Sequence, residues 1–221
     1  MLPTYKVEGY NMVEINEQLK QALLELRKDK SRKFDQTVDL IINLQKFDLK
    51  KSQINLFVSV PHKIKEKKIC GFLEARDKTI DTILAEEFGK YNDKKELKKL
   101  VNKYDFFIAQ ASLMPKVATV FGRALGPSEK MPSPQLGILM NMNSKLLEEL
   151  KEKINHSVKI KPKEPSIKVS IGKQSMKDED ITENIITVYN AVVRALPKDK
   201  ENIRNIRIKF TMTKPQKIKI R

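Results

Sequence analysis

Residues 204–221 read Arg-Asn-Ile-Arg-Ile-Lys-Phe-Thr-Met-Thr-Lys-Pro-Gln-Lys-Ile-Lys-Ile-Arg, and their apolar and polar side chains alternate over much of this length. The alternation predicts a strand from Asn205 to Met212, extended by Ile218 and Ile220, with one apolar face and one basic face. The eighteen residues hold seven cations and no acidic side chain. The carboxyl-terminal end of the chain is therefore expected to present a strongly basic sheet surface.

The amino-terminal end of the chain shows the same two-residue alternation, and it returns after His156. Proline cannot donate a hydrogen bond within a sheet, so Pro61 is expected to end one of these strands. Helical spacing of apolar residues predicts one helix at each end. The predicted strands are residues 34–44, 54–60, 158–160 and 167–171, and the predicted helices are residues 11–28 and 178–196.

The middle of the chain has a different pattern. Ile69–Leu73 and Phe106–Ala109 are short apolar runs of the kind that parallel sheets bury on both faces. Segments with helical spacing follow each run, as in proteins that layer helices on a sheet. The predicted helices are residues 80–88, 113–121 and 143–154.

These patterns predict an α/β protein of two domains. Residues 1–64 and 157–221 are expected to form one α+β domain that is built from both ends of the chain. Residues 65–156 are expected to form an inserted α/β layer domain. The two crossings between the domains would then lie side by side and form a hinge.

The distribution of charge indicates what the protein binds. The chain has 44 basic and 28 acidic residues, a net charge of +16, of which +12 falls in residues 1–64 and 157–221. Such a potential attracts polyanions, and nucleic acid is the commonest one in the cytoplasm. A membrane surface is the alternative, but it would favour a basic amphipathic helix over the basic strand found here.

Other classes of protein lack support in the sequence. The amino terminus has no apolar leader, no segment is apolar enough to cross a membrane, and Cys70 is the sole cysteine, which fits a reducing cytoplasm. His62 is either a general base or a solvated linker residue, and no cluster has the spacing of a metal site. We therefore expect no enzyme, no catalytic residue, no metal and no cofactor.

One stretch fits neither helix nor strand. Residues 121–135 hold two glycines and three prolines, which predicts a shaped and fairly rigid loop. Arg123 and Lys130 lie on it. The loop is either a contact surface or a connector that carries solvated charge.

Candidates for RNA contact occur at three places in the two ends of the chain. Cations hold phosphates, small polar residues allow a close approach of the backbone, and Phe34 either stacks on RNA or belongs to the core. These places converge only if the two ends share a sheet. The candidates are Lys28, Lys30, Arg32, Lys33 and Phe34 at the entry to the first strand, Ser170, Gly172, Lys173 and Ser175 in and after a later strand, and Thr211 and Met212 at the end of the last strand.

Six short segments resemble, in their order and approximate spacing, motifs of the ribosomal protein L1 family. These proteins form the mobile lateral stalk of the large ribosomal subunit. The matching segments are Lys33–Leu40, Val60–His62, Gly122–Pro134 (with the Gly-Arg-Ala-Leu-Gly-Pro sequence), Ile171–Lys173, Asn184 and Thr211–Met212.

The resemblance implies a discontinuous RNA-binding domain and a Rossmann-like inserted domain. It also implies binding to large-subunit rRNA, assistance in releasing deacylated tRNA from the exit site, and repression of the protein's own mRNA, in a cytoplasmic, ribosome-associated protein that is a monomer off the ribosome. A nonribosomal RNA-binding regulator or assembly factor of the same fold is the alternative. The implied RNA contacts are Lys33, Phe34, Thr37, Lys168, Ser170, Gly172, Lys173, Thr211 and Met212, and the implied secondary or structural loop positions are Gly122, Arg123, Gly126 and Lys130.

The sequence departs from the family pattern in two places. The usual Thr-Met-Gly-Pro is Thr211-Met212-Thr213-Lys214-Pro215 here, which removes a glycine at a point of close approach. Residues 127–130 read Pro-Ser-Glu-Lys where bacterial members favour Pro-Arg-Gly. This second departure resembles the archaeal or eukaryotic branch of the family.

Overall fold

The basic strand at the carboxyl-terminal end pairs with a strand from the other end of the chain. A computed structural model describes residues 12–29, 32–48, 54–77, 79–91, 93–140 and 144–218. These residues fall into two compact units. One consists of the described residues up to Ile64 together with those from Val158 onward, and the other spans Lys65–Ser157.

The first unit is built on a four-stranded antiparallel sheet. Its strands are β1 (Thr37–Leu44), β8 (Ser166–Lys173), β9 (Ile203–Phe210) and β10 (Gln216–Ile218), in the order β10-β9-β1-β8. Every second residue of β1 is buried, as the two-residue alternation predicts. The central strand β1 therefore comes from the amino-terminal end and lies between two strands from the carboxyl-terminal end.

Two helices lie against the apolar face of this sheet, α1 (Met12–Arg27) and α5 (Asp178–Ala195). Their buried side chains join those of the sheet in one hydrophobic cluster. Three acidic residues in the first turn of α5 face the positive end of its helix dipole and stabilise it. A two-stranded sheet of β2 (Leu56–Ser59) and β7 (Ser157–Ile160) adds Val58 and Ile160 to the same core.

The second unit contains a parallel sheet in the order β4-β3-β5-β6. The strands are β3 (Ile69–Leu73), β4 (Asp81–Leu84), β5 (Phe106–Gln110) and β6 (Ile138–Leu139). Phe72 lies at the centre of the core, with the rings of Phe88, Phe107 and Phe121 within 6 Å of its own. The helices are α2 (Lys94–Lys103), α3 (Met114–Leu125) and α4 (Ser144–Asn155), with 3-10 segments at Ala85–Tyr91 and Ala111–Leu113. The mixed α/β class predicted from the sequence is confirmed.

Two predictions about elements are wrong. Residues 80–88 were expected to form a helix, but Asp81–Leu84 form β4 and pair with β3, because the spacing of Ile80, Ile83 and Phe88 fits either structure and sheet pairing decides it. Ile218 does not extend the last strand, and Ile220, the other residue expected to extend it, lies outside the described residues. A turn follows Phe210, and residues 216–218 fold back as β10 against β9.

The predicted loop at residues 121–135 is shorter than expected. Helix α3 continues through Gly122 and Arg123 to Leu125, and Gly126 is its carboxyl-terminal cap. The irregular segment thus begins at Gly126. Among the described residues, none of the helices combines the length and the apolar character needed to cross a bilayer.

Candidate nucleic-acid interface

The three groups of RNA-contact candidates meet at one end of the antiparallel sheet. The start of β1 lies opposite the end of β8, with Thr37 paired to Lys173. It also adjoins the end of β9, because the Thr211 N–H donates to the carbonyl of Thr37 at 3.1 Å and the Thr37 N–H donates to Oγ1 of Thr211 at 3.1 Å. Shared strand pairing therefore brings together residues from both ends of the chain. We call this region the strand-end site.

Two large apolar side chains are exposed at the strand-end site. The exposed fraction is 52% for Phe34 and 58% for Met212. Phe34 is thus not a core residue, which decides between the two readings of its position. An exposed aromatic ring next to the cations Arg32 and Lys33 can stack on an unpaired base while the cations hold the phosphates.

Gln36 supports the strand-end site through buried hydrogen bonds. Its side chain is 2% exposed, and its Oε1 accepts a hydrogen bond from the Met212 N–H at 3.0 Å. Its Nε2 donates to Oε1 of Gln174 at 3.2 Å, and its carbonyl accepts from the Gln174 N–H at 2.7 Å. Gln36 therefore joins the ends of three strands. Gln36 lies within the Lys33–Leu40 motif, but a single glutamine does not indicate such a role, and the role was not predicted.

The turn after β8 is fixed by charged groups. Asp35 accepts hydrogen bonds from the N–H and hydroxyl of Ser175 at 3.0 and 2.9 Å, and Nζ of Lys173 lies 3.6 Å from the same carboxylate. Arg27 of α1 donates to Asp178 at 2.6 Å and to the carbonyls of Gln174 and Met176 at 2.9 Å. These bonds hold Lys173 near Asp35, the residue that follows Phe34. The sequence analysis did not identify Arg27.

Gly172 has a packing reason to be glycine. A Cβ atom at this position would lie 3.3 Å from Cγ1 of Ile181 and 3.3 Å from Sδ of Met176. The open side of this residue therefore faces the first turn of α5. Lys168 and Ser170, by contrast, are exposed on the face of β8 that points away from the helices.

Thr213 stands where the family pattern has glycine. Its hydroxyl accepts a hydrogen bond from the Phe210 N–H at 2.9 Å, and its own N–H donates to the carbonyl of Phe210 at 3.2 Å. Its φ is not positive, unlike that of Lys46, Glu129 and Asp199. A buried threonine thus closes the turn without left-handed backbone, and Met212 stays exposed.

The secondary positions in the second unit lie in or next to α3. Arg123 is exposed, and a Cβ on Gly122 would meet no atom within 4 Å. Lys130 is held by backbone oxygens, since its Nζ donates to the carbonyls of Val101 and Tyr104 at 2.7 and 2.8 Å. These carbonyls lie at the end of α2, where helices leave acceptors unpaired. The contacts of Lys130 favour its structural reading.

Replacing Lys130 with methionine is expected to lower the free energy of unfolding by about 1–3 kcal/mol, because two half-buried carbonyls lose a charged donor. Arg123→Met removes the same charge from an exposed position and should change stability by less than about 0.5 kcal/mol. Urea denaturation of the two variants measures the difference. Equal midpoints would show that Lys130 does not cap α2.

His62 is not a solvated linker residue. Its Nε2 lies 2.8 Å from Oε2 of Glu183, and its side chain is 34% exposed. Its backbone N–H donates to Oδ1 of Asn184, whose amide donates to the carbonyls of His62 and Ile171, all at 3.0 Å. These contacts fix the end of the segment that follows β2 onto α5.

Burial changes the pKa of two further groups in the second unit, the Cys70 thiol and the Lys67 ammonium. Burial raises the pKa of Cys70 to about 12, so its thiol stays protonated and unreactive near neutral pH. Burial lowers the pKa of Lys67 to about 8, with Lys65 adding to the effect, and its ammonium donates to the carbonyls of Ile154 and Ser157. Both groups serve the packing of the unit.

A polar cleft of about 670 Å³ lies beside β4. Several of its polar groups bond one another. Arg76 pairs with Glu87 at 3.1 Å, Lys99 pairs with Glu96 at 2.7 Å, and the Tyr104 hydroxyl donates to Asp81 at 2.6 Å. Polar groups that satisfy each other in this way leave little for a ligand. The strand-end site, with exposed Phe34 and Met212 among cations, is the better candidate.

Comparison with known proteins supports the same assignment. The model of the ribosomal protein L1p/L10e family matches residues 26–214. The large ribosomal subunit protein uL1 of Nanoarchaeum equitans is 37% identical over 84% of this chain and 92% of its own length. The protein of the same name from Methanobrevibacter smithii is 37% identical over 90% of this chain and 95% of its own length. The one from Pyrococcus abyssi is 35% identical over 86% of this chain and 90% of its own length. The chain therefore belongs to the ribosomal protein L1 family, in an archaeal-like form, and is a structural protein of the large ribosomal subunit rather than an enzyme.

Proposed function

We propose that the protein binds large-subunit rRNA through the strand-end site and forms the mobile lateral stalk of the subunit. The observation that carries this proposal is the exposure of Phe34 and Met212, more than half of each side chain, beside Lys33 and Lys173. Exposed apolar groups that are rimmed by polar residues are typical of interaction sites. RNA matches both features, since bases stack and phosphates are anionic.

The contact residues in this proposal have two kinds of role. Phe34 and Met212 touch bases or riboses, and Lys33, Lys168 and Lys173 hold phosphates. Thr37, Ser170 and Thr211 present small polar groups, and Gly172 keeps the strand close to α5. Arg27, Asp35 and Gln36 position these groups and do not touch the RNA.

The domain arrangement and its motion are part of the proposal. Residues 1–64 with 157–221 act as the RNA-binding domain, and residues 65–156 act as an inserted domain joined to it by a hinge of two adjacent segments. The protein acts in the cytoplasm, as part of the ribosome. There, this arrangement lets the stalk assist the release of deacylated tRNA from the exit site. Arg123, exposed on α3, is the candidate for contact with RNA or tRNA in the inserted domain.

Repression of the protein's own mRNA follows if that mRNA contains an RNA element similar to the ribosomal one. The same strand-end site would bind both, so the two RNAs would compete. A nonribosomal regulator or assembly factor of the same fold, the alternative that the sequence left open, does not fit the names of the archaeal relatives. Co-sedimentation with mature large subunits separates a ribosomal constituent from a factor that leaves before maturation.

Ultraviolet crosslinking of the full chain to archaeal large-subunit rRNA, followed by peptide mapping, tests the proposal. We expect crosslinked peptides that contain Phe34 and Met212, because both side chains are exposed where bases would lie. An unrelated RNA of similar length, added in excess, should not displace the rRNA. Crosslinks confined to residues 65–156 would contradict the proposed site.

A further inference from the structure

The face of the antiparallel sheet opposite the helices carries its own set of cations. Strand residues that point away from the core are only partly buried in β1 and β9, and Lys217 of β10 is exposed. Helices α1 and α5 and the sheet of β2 and β7 all contribute to the core on the other face. Ile41, the apolar residue of β1 on this open face, is not part of that core. Within the described residues, no element packs over this face.

Strand register aligns three of the cations in one row. Ile41 lies opposite Lys168 of β8 on one side and opposite Arg207 of β9 on the other, and Arg207 lies opposite Lys217 of β10. Adjacent strands are about 4.8 Å apart, so the row crosses the sheet over about 14 Å. We call Lys168, Arg207 and Lys217 the cross-strand row. Its centre, Ile41, lies four residues along β1 from Thr37. Arg207 and Lys217 therefore lie outside the strand-end site, whereas Lys168 is already a phosphate contact in the proposed function.

The cross-strand row is unfavourable for folding by itself. Arg207 and Lys217 are directly opposed like charges, a pairing that destabilises a sheet. Nε of Arg207 is buried and has no hydrogen-bond partner within the described part of the chain. Lys168, at the other end of the row, is paired with Glu164 at 3.2 Å. The opposition of Arg207 and Lys217, together with the unbonded Nε of Arg207, costs stability and indicates an external anion.

The rest of this face is polar and lacks apolar anchors. In one neighbouring row, Ser166, Asn43 and Asn205 bond one another through their side chains. Nδ2 of Asn43 donates to Oδ1 of Asn205 at 2.7 Å, and Oγ of Ser166 donates to Oδ1 of Asn43 at 2.8 Å. The other neighbouring row places Asp39 opposite Lys209, and burial raises the pKa of Asp39 while Lys209 opposes that rise. A flat and cationic face on which the apolar Ile41 is half-buried fits the backbone of RNA, whereas a membrane surface would favour exposed bulky apolar anchors.

We propose that the cross-strand row is a second RNA-contact surface, in which Lys168, Arg207 and Lys217 hold successive phosphates of the RNA that the strand-end site recognises. This inference rests on the proposed function. The strand-end site supplies selectivity through base contacts, and the cross-strand row supplies affinity that does not depend on sequence. The two sites therefore respond differently to salt.

The test compares two double variants that each remove two positive charges from the same unit. Arg207→Gln with Lys217→Gln alters the cross-strand row, and Lys20→Gln with Arg194→Gln alters exposed cations of α1 and α5. Filter binding of the full chain to archaeal large-subunit rRNA is measured over a range of KCl concentrations. The logarithm of the binding constant is then plotted against the logarithm of the salt concentration.

We expect the slope to fall by about 1.4–1.8 in the cross-strand variant, the value for two lost phosphate contacts, and affinity to fall about 10-fold or more at 0.1 M KCl. The α1 and α5 control should keep the wild-type slope. Arg207→Lys with Lys217 intact should also keep it, because the charge remains. The melting temperature of the cross-strand variant should not fall below that of the wild type, since a repulsion is removed.

Equal slopes in the two double variants would overturn this inference. Binding of phosphatidylserine vesicles that depends on Arg207 and Lys217, with rRNA binding unaffected, would also overturn it and assign the face to a membrane. Failure of the wild-type chain to prefer rRNA over an unrelated RNA is a different result. It would contradict the proposed function and is read from the wild-type protein alone.

Discussion

Replacing Asn184 with alanine is expected to lower the free energy of unfolding by about 2–4 kcal/mol, because three hydrogen bonds of a fully buried amide are lost together. Asn184 is 0% exposed, and it bonds the N–H and carbonyl of His62 and the carbonyl of Ile171. The better helix propensity of alanine offsets only about 0.5 kcal/mol of this loss. Equilibrium denaturation in urea measures the effect.

Thr187→Ala is the matched control for this prediction. Thr187 lies on the same helix, one turn further along, and its hydroxyl donates only to the carbonyl of Glu183 within α5. This change should alter stability by less than about 0.5 kcal/mol. Similar losses in the two variants would show that Asn184 contributes no more than an ordinary helix position.

Replacing Met212 with aspartate is expected to weaken rRNA binding by about 1–3 kcal/mol, the range for one good recognition contact. This corresponds to an increase in Kd of about 5- to 150-fold at fixed salt. The new carboxylate repels phosphates at the position where Gln36 holds the Met212 backbone. Folding should be unaffected, because the Met212 side chain is 58% exposed.

Met140→Asp is the control for this second prediction, since Met140 lies in the other unit and is 82% exposed. It introduces the same charge and should leave Kd within about twofold of the wild type. Filter binding at one KCl concentration compares the two variants. An unchanged Kd for Met212→Asp would remove Met212 from the interface.

Patterns of hydrophobicity predicted the strands of the first unit other than β10, because strands with one buried face alternate apolar and polar residues. In β1 alternate residues are buried along its whole length, and the same alternation marks β9. The second unit was less predictable from the sequence. The apolar spacing around β4 predicted a helix instead of a strand. The lysine-rich helix α2 was not predicted, because only Leu97, Leu100 and Val101 mark its inward side among five lysines.

The candidate site was predictable where residues carry charge or lie within a family motif. Lys33, Lys173 and Met212 were found in this way. Arg27 carries charge and Gln36 lies within a motif, but their roles were not predicted, because these roles come from burial and from hydrogen bonds to distant backbone atoms. Lys130 was identified as a loop cation, and only its bonds to two carbonyls gave its role.

Hydrophobic period and charge are local properties, so the sequence was sufficient to predict basic strands at both ends of this chain and an α/β layer in the middle. It also contained the motifs of the L1 family. The folded structure was needed to show that Phe34 and Met212 are exposed at the same end of one sheet, and that Arg207 lies between Ile41 and Lys217. The physical reason is that register and exposure arise from pairing between distant strands, and no local pattern specifies which residues will face one another.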